Sequence, residues 1–407
     1  MISKPDELRD IEIIDAESHV VENPEDIEKF LDKKYRLPMI VRDEVSGSRY
    51  WVVDGKVYTR PFGFGGGEAR GLIDHTFNKF YGKINPKLRA KDASLNDIEG
   101  RLADLDQMGI DAQVVNPTSG LIIPFMSDRE WAYALARAYN DYVSTRIKES
   151  GTRRIYANAA VPIQDVNLAI KEMERAKELG LKGVVVPVFV SDGHFIAEKP
   201  IFDEEFFPFF KKATELNMPV VVHVTPTTSE LPWVFLFNKF LYVRGVGHPF
   251  AMMVALMGLI GEGFFERLPN LKVHLCEAGA SWLPFWIWWL DEAIENPRFR
   301  KYTLERFGMD PNPHLKRFAS EYLQQGNVYV SVESEEPPEI IKYIIEKMGL
   351  ENNLVFAVDY PHASEAELFP EYLNVFMGNI AKPANLNKKQ MEKILRDNAR
   401  RLYNIEK

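Results

Sequence analysis

Eight apolar segments of the sequence alternate with segments of helical periodicity, and this alternation limits the possible folds more than any other feature. The apolar segments are rich in Val, Ile and Leu, which is typical of parallel strands that are covered on both faces. They lie at residues 11–20, 112–116, 154–161, 183–187, 219–223, 271–277, 327–331 and 354–359. The pattern predicts an α/β fold, and eight units favour a (β/α)8 TIM barrel over an open doubly wound sheet. No Gly-x-Gly-x-x-Gly follows the first segment, which weighs against a dinucleotide-binding fold.

A long insertion follows the first predicted strand. Residues 35–90 keep neither helical nor strand periodicity, except that Ser48–Val53, Asp54-Gly55 and Lys56–Arg60 predict a β-hairpin on an Asp-Gly turn. We therefore expect residues 1–407 to form a single barrel domain that carries this insertion. The insertion is a candidate lid, and it could equally be a surface loop or a dimer contact.

The charge and composition of the chain exclude several classes of partner. The net charge is −9 over 407 residues and no run of Lys and Arg forms a basic stripe, so we expect neither a nucleic-acid nor an anionic-membrane partner. The most apolar stretch, residues 250–265, is interrupted by Gly and Glu and therefore predicts a buried helix instead of a membrane span. The N-terminus is polar without a signal peptide, and the single cysteine, Cys276, excludes an internal disulfide. These features predict a cytoplasmic protein whose partner is a small molecule.

Titratable residues stand where several of the predicted strands end. The first strand ends with Glu17 and His19, the fifth with His223, the sixth with Glu277 and the eighth with Asp359. The carboxyl ends of barrel strands meet at one face, where their side chains would lie close together. Carboxylates and imidazoles are ligands that zinc, manganese or iron accepts. The sequence thus predicts a metal site at this face; the alternative is a non-catalytic barrel in which these residues are polar caps.

The same strand ends carry a resemblance to a known family. Asp15-Ala16-Glu17-Ser18-His19, Val222-His223, residues 266–273, residues 279–284 and Val358-Asp359-Tyr360-Pro361-His362 are similar to the amidohydrolase superfamily. The similarity is to the branch that contains aminocarboxymuconate-semialdehyde decarboxylase and γ-resorcylate decarboxylase. It covers most of the chain apart from the insertion.

The resemblance implies that Glu17, His19, His223 and Asp359 bind one divalent metal ion per subunit, with zinc expected first and manganese or iron as alternatives. A two-metal member would need a lysine at the end of strand four, where this chain has Val185-Val186-Pro187.

One position departs from the decarboxylases of this branch. Their sixth strand ends in a histidine that handles protons, and this chain has Glu277 there. His274 lies three residues earlier, so strand alternation predicts that it faces the opposite way. Glu277 could be a base, a further metal ligand or a neutral acid.

Four further residues are candidates by position alone. His248 is expected to begin a helix, where it could bind an anionic substrate group in catalysis or simply pack. His362 could contact substrate or cap a helix, and Trp233 lies in an aromatic loop suited to a flat substrate. Glu333, with two more glutamates nearby, indicates a solvated acidic turn more than a cavity residue.

The resemblance implies non-oxidative decarboxylation of a small aromatic or unsaturated carboxylate. Asp359, Glu277 or metal-bound water would supply the proton. The alternative is a hydrolase of a small ester, lactone, amide or ring-cleavage product that uses metal-activated water. By analogy with the family we also expect a homodimer or higher homo-oligomer. The aromatic cluster Trp282, Phe285, Trp286, Trp288 and Trp289 would suit either the core or an interface.

Overall fold

The fold is a barrel of parallel strands surrounded by helices. The computed structural model describes residues 4–42, 49–58, 93–190, 199–224, 240–308, 310, 312–361 and 371–406. In this part of the chain the barrel strands are β1 (Ile14–Val20), β2 (Ala112–Pro117), β3 (Ile155–Ala157 continued by Ala159–Ala160), β4 (Val184–Val186), β5 (Val220–Val222), β6 (Val273–Leu275), β7 (Val328–Val332) and β8 (Leu354–Phe356). All eight predicted strands are present, and most are shorter than the apolar segments that predicted them.

The strands pair in the order of the sequence and close on themselves. Each strand from β1 to β8 pairs in parallel with the next. Asp359 N donates to Glu17 O at 2.9 Å, and His19 N donates to Tyr360 O at 2.7 Å, so the end of β8 is hydrogen-bonded to β1. These contacts confirm the predicted (β/α)8 TIM barrel.

Alternate residues of each strand enter two different apolar layers. Ile14, Val114, Val185, Val221 and Val355 fill the barrel interior, where they pack against one another. Their neighbours in sequence face outward and pack against the helices. This period of two follows from the pleat of a strand and explains why the segments are apolar throughout.

Helices cover the outside of the barrel. The longer ones are Ile98–Met108, Arg129–Ser150, Val166–Leu179, Phe207–Glu215, Phe240–Gly261, Leu283–Glu295, Pro297–Phe307 and Pro338–Glu346. The shorter ones are Pro24–Glu28, Phe264–Arg267, Ala319–Gln324, Tyr372–Phe376, Lys388–Glu392 and Asn398–Tyr403. Among the described residues, no helix has both the length and the apolar character that crossing a bilayer would need.

The helix Val166–Leu179 shows how the sequence sets these boundaries. The Asp165 side chain accepts hydrogen bonds from Asn167 N and Leu168 N at the first turn. Gly180 follows the last turn with φ +88°, a left-handed conformation that glycine adopts without strain. Both boundaries of this helix are therefore encoded by residues next to it in the sequence.

The described part of the insertion is a small antiparallel sheet. Met39–Arg42, Arg49–Val53 and Lys56–Tyr58 pair in sequence order. Asp54 and Gly55 have φ of 51° and 72°, as a type I′ turn requires, which confirms the predicted hairpin. The Asp54 carboxylate accepts from Ser127 N at 2.8 Å and from Ser127 Oγ at 2.7 Å, and so fixes the turn on the barrel. The lid prediction concerns mainly residues 59–92, which lie outside the described residues.

The tryptophan-rich helix Leu283–Glu295 faces two environments. Trp282, just before it, is 7% exposed, and Trp286 donates through Nε1 to Met253 O at 2.8 Å. Phe285, Trp288 and Trp289 are 58%, 58% and 48% exposed, and the rings of Phe285 and Trp289 stack. One side of the helix belongs to the core, and the other forms an exposed aromatic face.

Candidate metal centre

Glu17 and His19 lie on β1, and Asp359 lies shortly after β8. Backbone hydrogen bonds join these two segments directly. The hydrogen bonds between Glu17 and Asp359 and between His19 and Tyr360 hold the end of β1 against the end of β8. Asp15 adds a side-chain link, because its Oδ1 accepts from Val358 N at 3.1 Å. The placement of Glu17, His19 and Asp359 at one face of the barrel is therefore fixed by backbone contacts.

Two buried imidazoles face each other at this position. His19 Nδ1 lies 3.1 Å from Pro117 O and 3.1 Å from Thr118 Oγ1, and His223 Nδ1 lies 2.6 Å from Val224 O. A ring nitrogen that faces a carbonyl carries the proton, which leaves Nε2 with the lone pair in each ring. The two Nε2 atoms are only 3.0 Å apart. Two lone pairs at this distance repel unless a cation lies between or beside them.

Burial also makes a proton a poor candidate for that cation. His223 is 1% exposed, and desolvation by burial lowers the pKa of its imidazole below the ordinary value. A neutral imidazole whose other nitrogen is held by a carbonyl is the usual form of a histidine metal ligand.

Two carboxylates complete the cluster. Glu17 Oε1 lies 3.7 Å from His223 Nε2, and Asp359 Oδ1 lies 3.4 Å from His19 Nε2. Glu17 Oε1 is buried and accepts no hydrogen bond from the residues that the structure describes. Desolvation raises the pKa of Glu17 to about 7, because a buried carboxylate resists ionisation. The ligand atoms of Glu17, His19 and His223 all lie within 4.8 Å of one another, and Asp359 adjoins them through His19. This donor set fits a single divalent metal ion.

Two residues at the site have a left-handed backbone that is rare for residues other than glycine. Glu277 has φ 60° and Asp359 has φ 54°, each shortly after the end of its strand. Such conformations cost on the order of 1 kcal/mol or more and are concentrated at functional sites. The turn at Glu277 also interrupts strand alternation and directs this side chain toward the metal-ligand cluster, with Oε2 at 3.7 Å from His223 Nδ1.

The structure corrects the helix start that was predicted at His248. The helix runs from Phe240 to Gly261, so His248 and Pro249 lie inside it. Proline favours the first turn of a helix, but helices also accommodate it at interior positions, as Pro249 shows. His248 instead approaches the site through its side chain, with Nδ1 at 3.0 Å from Glu277 O.

A narrow acidic cleft opens beside the cluster. Glu17, Glu277, Glu333 and Asp359 are among the residues that line it. Glu333 is half-buried in this lining, whereas the neighbouring Glu336 is 8% exposed, so the prediction of a solvated acidic turn is wrong for Glu336.

Glu336 is buried because it caps the turn after β6. Its Oε2 accepts from Ala280 N at 2.8 Å and from Ser281 N at 2.7 Å, so it satisfies two backbone donors next to Glu277. A side chain on Gly279 would begin 3.0 Å from this carboxylate, which explains why glycine is needed there. Glu333, Glu335 and Glu336 are close together in sequence but lie in different environments, which the sequence alone does not show.

His274 does not face away from the site, contrary to the expectation from strand alternation. Its Nε2 lies 3.0 Å from Ser331 Oγ, and Ser331 Oγ donates to Glu17 Oε2. Both His274 and Glu277 reach the interior side, because the left-handed turn at Glu277 reverses the alternation. The sequence analysis did not identify Ser331 as a site residue. The signal in the sequence was its position as a polar residue at the end of the apolar segment 327–331.

Arg101 is a second residue that the sequence did not reveal. It is fully buried on the helix Ile98–Met108, and its guanidinium donates to His19 O at 2.7 Å. It also lies over the ring of Tyr360, 5.0 Å from the centroid. Arg101 thus holds the backbone beside two predicted ligands.

His362 and Trp233, the predicted substrate contacts, lie outside the described residues.

Comparisons with known proteins agree with this architecture. The family model described as "Amidohydrolase" matches residues 14–405. A γ-resorcylate decarboxylase from Polaromonas sp. is 28% identical over 212 residues, which are 51% of this chain and 62% of that protein. The alignment therefore spans less than two thirds of that relative. A 2-amino-3-carboxymuconate-6-semialdehyde decarboxylase from Dictyostelium discoideum is 26% identical over 311 residues, 72% of each chain.

A solved structure shows the same fold over nearly the whole chain. It is the dihydroxybenzoic acid decarboxylase from Polaromonas sp. JS666 with bound manganese and 2-nitroresorcinol, with a TM-score of 0.65, 20% identity and coverage of 98% of both chains. The family match extends over almost all of the sequence and includes every residue of the cluster. The chain belongs to the amidohydrolase family.

Proposed function

We propose that this protein is a metal-dependent carboxy-lyase that removes CO2 from small aromatic or unsaturated carboxylates. The observation that carries the proposal is the convergence of His19 Nε2, His223 Nε2 and Glu17 Oε1 at the carboxyl ends of the barrel strands. The reaction class is supported by the relatives, which include resorcylate and aminocarboxymuconate-semialdehyde decarboxylases.

Glu17, His19, His223 and Asp359 would hold the metal ion. When bound, the ion supplies a Lewis acid that binds and orients an oxygen of the substrate. Two nitrogen and two oxygen donors suit zinc, and the manganese in the Polaromonas decarboxylase supports manganese as well. Elemental analysis of the purified protein distinguishes the two metals.

Glu277 is assigned the proton transfer. In decarboxylation the bond between the ring carbon and the carboxyl carbon breaks, CO2 leaves, and the electron pair that stays on the ring carbon takes up a proton. Glu277 lines the cleft, and its Oε2 lies 3.7 Å from His223 Nδ1, the nitrogen that points away from the ion site. This geometry supports proton donation to substrate by the Glu277 carboxyl group over binding of the ion. The alternative donor, Asp359, is occupied as a ligand in this arrangement.

His248 is assigned a positioning role. Its contact with the Glu277 carbonyl lies at the strained turn that directs the Glu277 side chain into the cleft. His362 and Trp233 remain proposed substrate contacts on the basis of their sequence positions.

The test is a decarboxylation assay on metal-loaded protein. The substrates are 2,6-dihydroxybenzoate and related hydroxybenzoates, and the readout is CO2 release together with the decarboxylated ring product. We expect metal-dependent CO2 release that chelation abolishes and that manganese or zinc restores. Cleavage of esters or lactones by the metal-loaded protein, without CO2 release from any carboxylate tested, would replace this proposal with the hydrolase alternative.

Self-association is supported by the exposed aromatic face. Phe285, Trp288 and Trp289 expose about half of their surface on one side of a helix. Contact between such an apolar face and water is unfavourable for an isolated subunit. We propose that this face contacts a second copy of the chain. Sedimentation of the wild-type protein and of a Trp288→Glu variant tests it, because a charge in the contact would favour the monomer.

A further inference from the structure

A chain of buried polar groups leads from the metal-ligand cluster into the barrel interior. Ser331 Oγ donates to Glu17 Oε2. His274 Nε2 lies 3.0 Å from Ser331 Oγ, and His274 Nδ1 lies 2.7 Å from Tyr403 Oη. Glu17, Ser331, His274 and Tyr403 are each at most 1% exposed. Polar groups so deep in an apolar barrel are costly unless they satisfy one another, so their alignment calls for an explanation.

The donors in this chain run in one direction. The Ser331 hydroxyl donates its one proton to Glu17 Oε2 and is left to accept from His274 Nε2. His274 Nδ1 then carries the lone pair and accepts from the Tyr403 hydroxyl. Burial lowers the pKa of His274 to about 3, in agreement with a neutral ring that has a single N–H. The second acceptor near Tyr403 Oη is Ala16 O, at the longer distance of 3.3 Å.

The consequence concerns the two oxygens of Glu17. Oε2 is engaged by Ser331, whereas Oε1 accepts no hydrogen bond from the described residues and lies 3.7 Å from His223 Nε2. A carboxylate with one oxygen held in this way can rotate little about its terminal bond. Hydrogen-bond partners of this kind set the orientation of metal ligands and commonly change metal affinity by about 10- to 100-fold when removed.

We propose that Tyr403, His274 and Ser331 are positioning residues that hold Glu17 as a ligand through Oε1 alone. The proposal rests on the metal-binding function above and adds to it three residues that do not touch the ion. It connects the helix Asn398–Tyr403, near the end of the chain, to the geometry of the metal centre.

A different use of the same residues is a second ion bound by Glu17, His274 and Cys276, whose ligand atoms lie within 4.8 Å of one another. The hydrogen bonds argue against it, because Ser331 and Tyr403 engage both ring nitrogens of His274. The number of ions bound per chain separates the two interpretations.

The first experiment determines the direction of these hydrogen bonds in the metal-free protein. Nitrogen-15 chemical shifts of histidine side chains distinguish protonated from unprotonated ring nitrogens, and a His274→Gln variant assigns the signals. We expect His274 in the metal-free protein to carry its proton on Nε2 alone. A proton on Nδ1, or on both nitrogens, would contradict the proposed direction of the hydrogen bonds and would overturn the positioning role.

The second experiment measures the affinity for zinc and manganese by competition with a chelator in wild type, Ser331→Ala and Ser144→Ala. Ser144 is the matched control, because it is a serine 4% exposed whose hydroxyl donates to Leu179 O in a different part of the fold. We expect Ser331→Ala to weaken binding about 10- to 100-fold and Ser144→Ala to leave it unchanged.

Equal affinities in the two variants would overturn the positioning role while the metal-binding function stands. Two ions per wild-type chain would overturn it in favour of the second site. A wild-type protein that binds neither metal would refute the metal-binding function itself, and with it the role assigned to Ser331, His274 and Tyr403.

Discussion

The replacement Arg101→Met tests whether a buried cation supports the metal centre. Arg101 donates to Gln113 Oε1 at 2.5 Å and to His19 O at 2.7 Å, and its charge faces the ring of Tyr360. Methionine keeps much of the side-chain volume but leaves both acceptors without this donor. Removing one partner from a buried charged network typically costs about 3–5 kcal/mol of the free energy of unfolding. The same replacement frees the backbone beside His19, so the affinity for divalent metal should also fall.

Arg154→Met is the matched control. Arg154 likewise donates to two acceptors, Asp111 O at 2.8 Å and Ile110 O at 3.0 Å, but its side chain is 33% exposed. Water can replace those hydrogen bonds, so we expect a loss of about 1 kcal/mol or less. Urea titrations of the metal-free proteins give both free energies of unfolding. Losses that agree within about 1 kcal/mol for the two variants would refute the reasoning that burial makes Arg101 important.

Three further replacements probe separate parts of the account. His223→Ala should reduce the metal content of the purified protein from one ion per chain to almost none, and a retained ion would show that His223 is not a ligand. Glu277→Gln should keep the metal but lower the rate of CO2 release by about 100- to 10,000-fold, and an unchanged rate would reassign the proton transfer. Glu336→Ala should cost about 2–4 kcal/mol, because it leaves buried backbone donors without an acceptor; a melting temperature equal to that of wild type would contradict this.

The barrel and the proximity of its strand-end residues could be predicted because both follow from local rules. Parallel strands buried on both faces are apolar throughout, and in a barrel their carboxyl ends meet at one face. Glu17, His19, His223 and Asp359 could therefore be grouped from sequence although they are far apart along the chain. Their roles as ligands remain predictions that the metal analysis tests.

Other features of the site depend on contacts that no local rule contains. His274 was placed on the wrong side because strand alternation was extended through Glu277, whose left-handed backbone breaks it. Arg101 and Ser331 belong to elements far in sequence from the residues that they support. The helix that was expected to begin at His248 already includes Phe240, so its start could not be located from His248 and Pro249. In each case tertiary contacts overrode a local preference.

The most direct test of the central claim is an anomalous diffraction measurement at the absorption edge of the metal that elemental analysis identifies. We expect one peak per chain, about 2.0–2.2 Å from His19 Nε2, His223 Nε2 and Glu17 Oε1 if the metal is zinc. A chain without a peak at this position, or with its peak elsewhere, would contradict it.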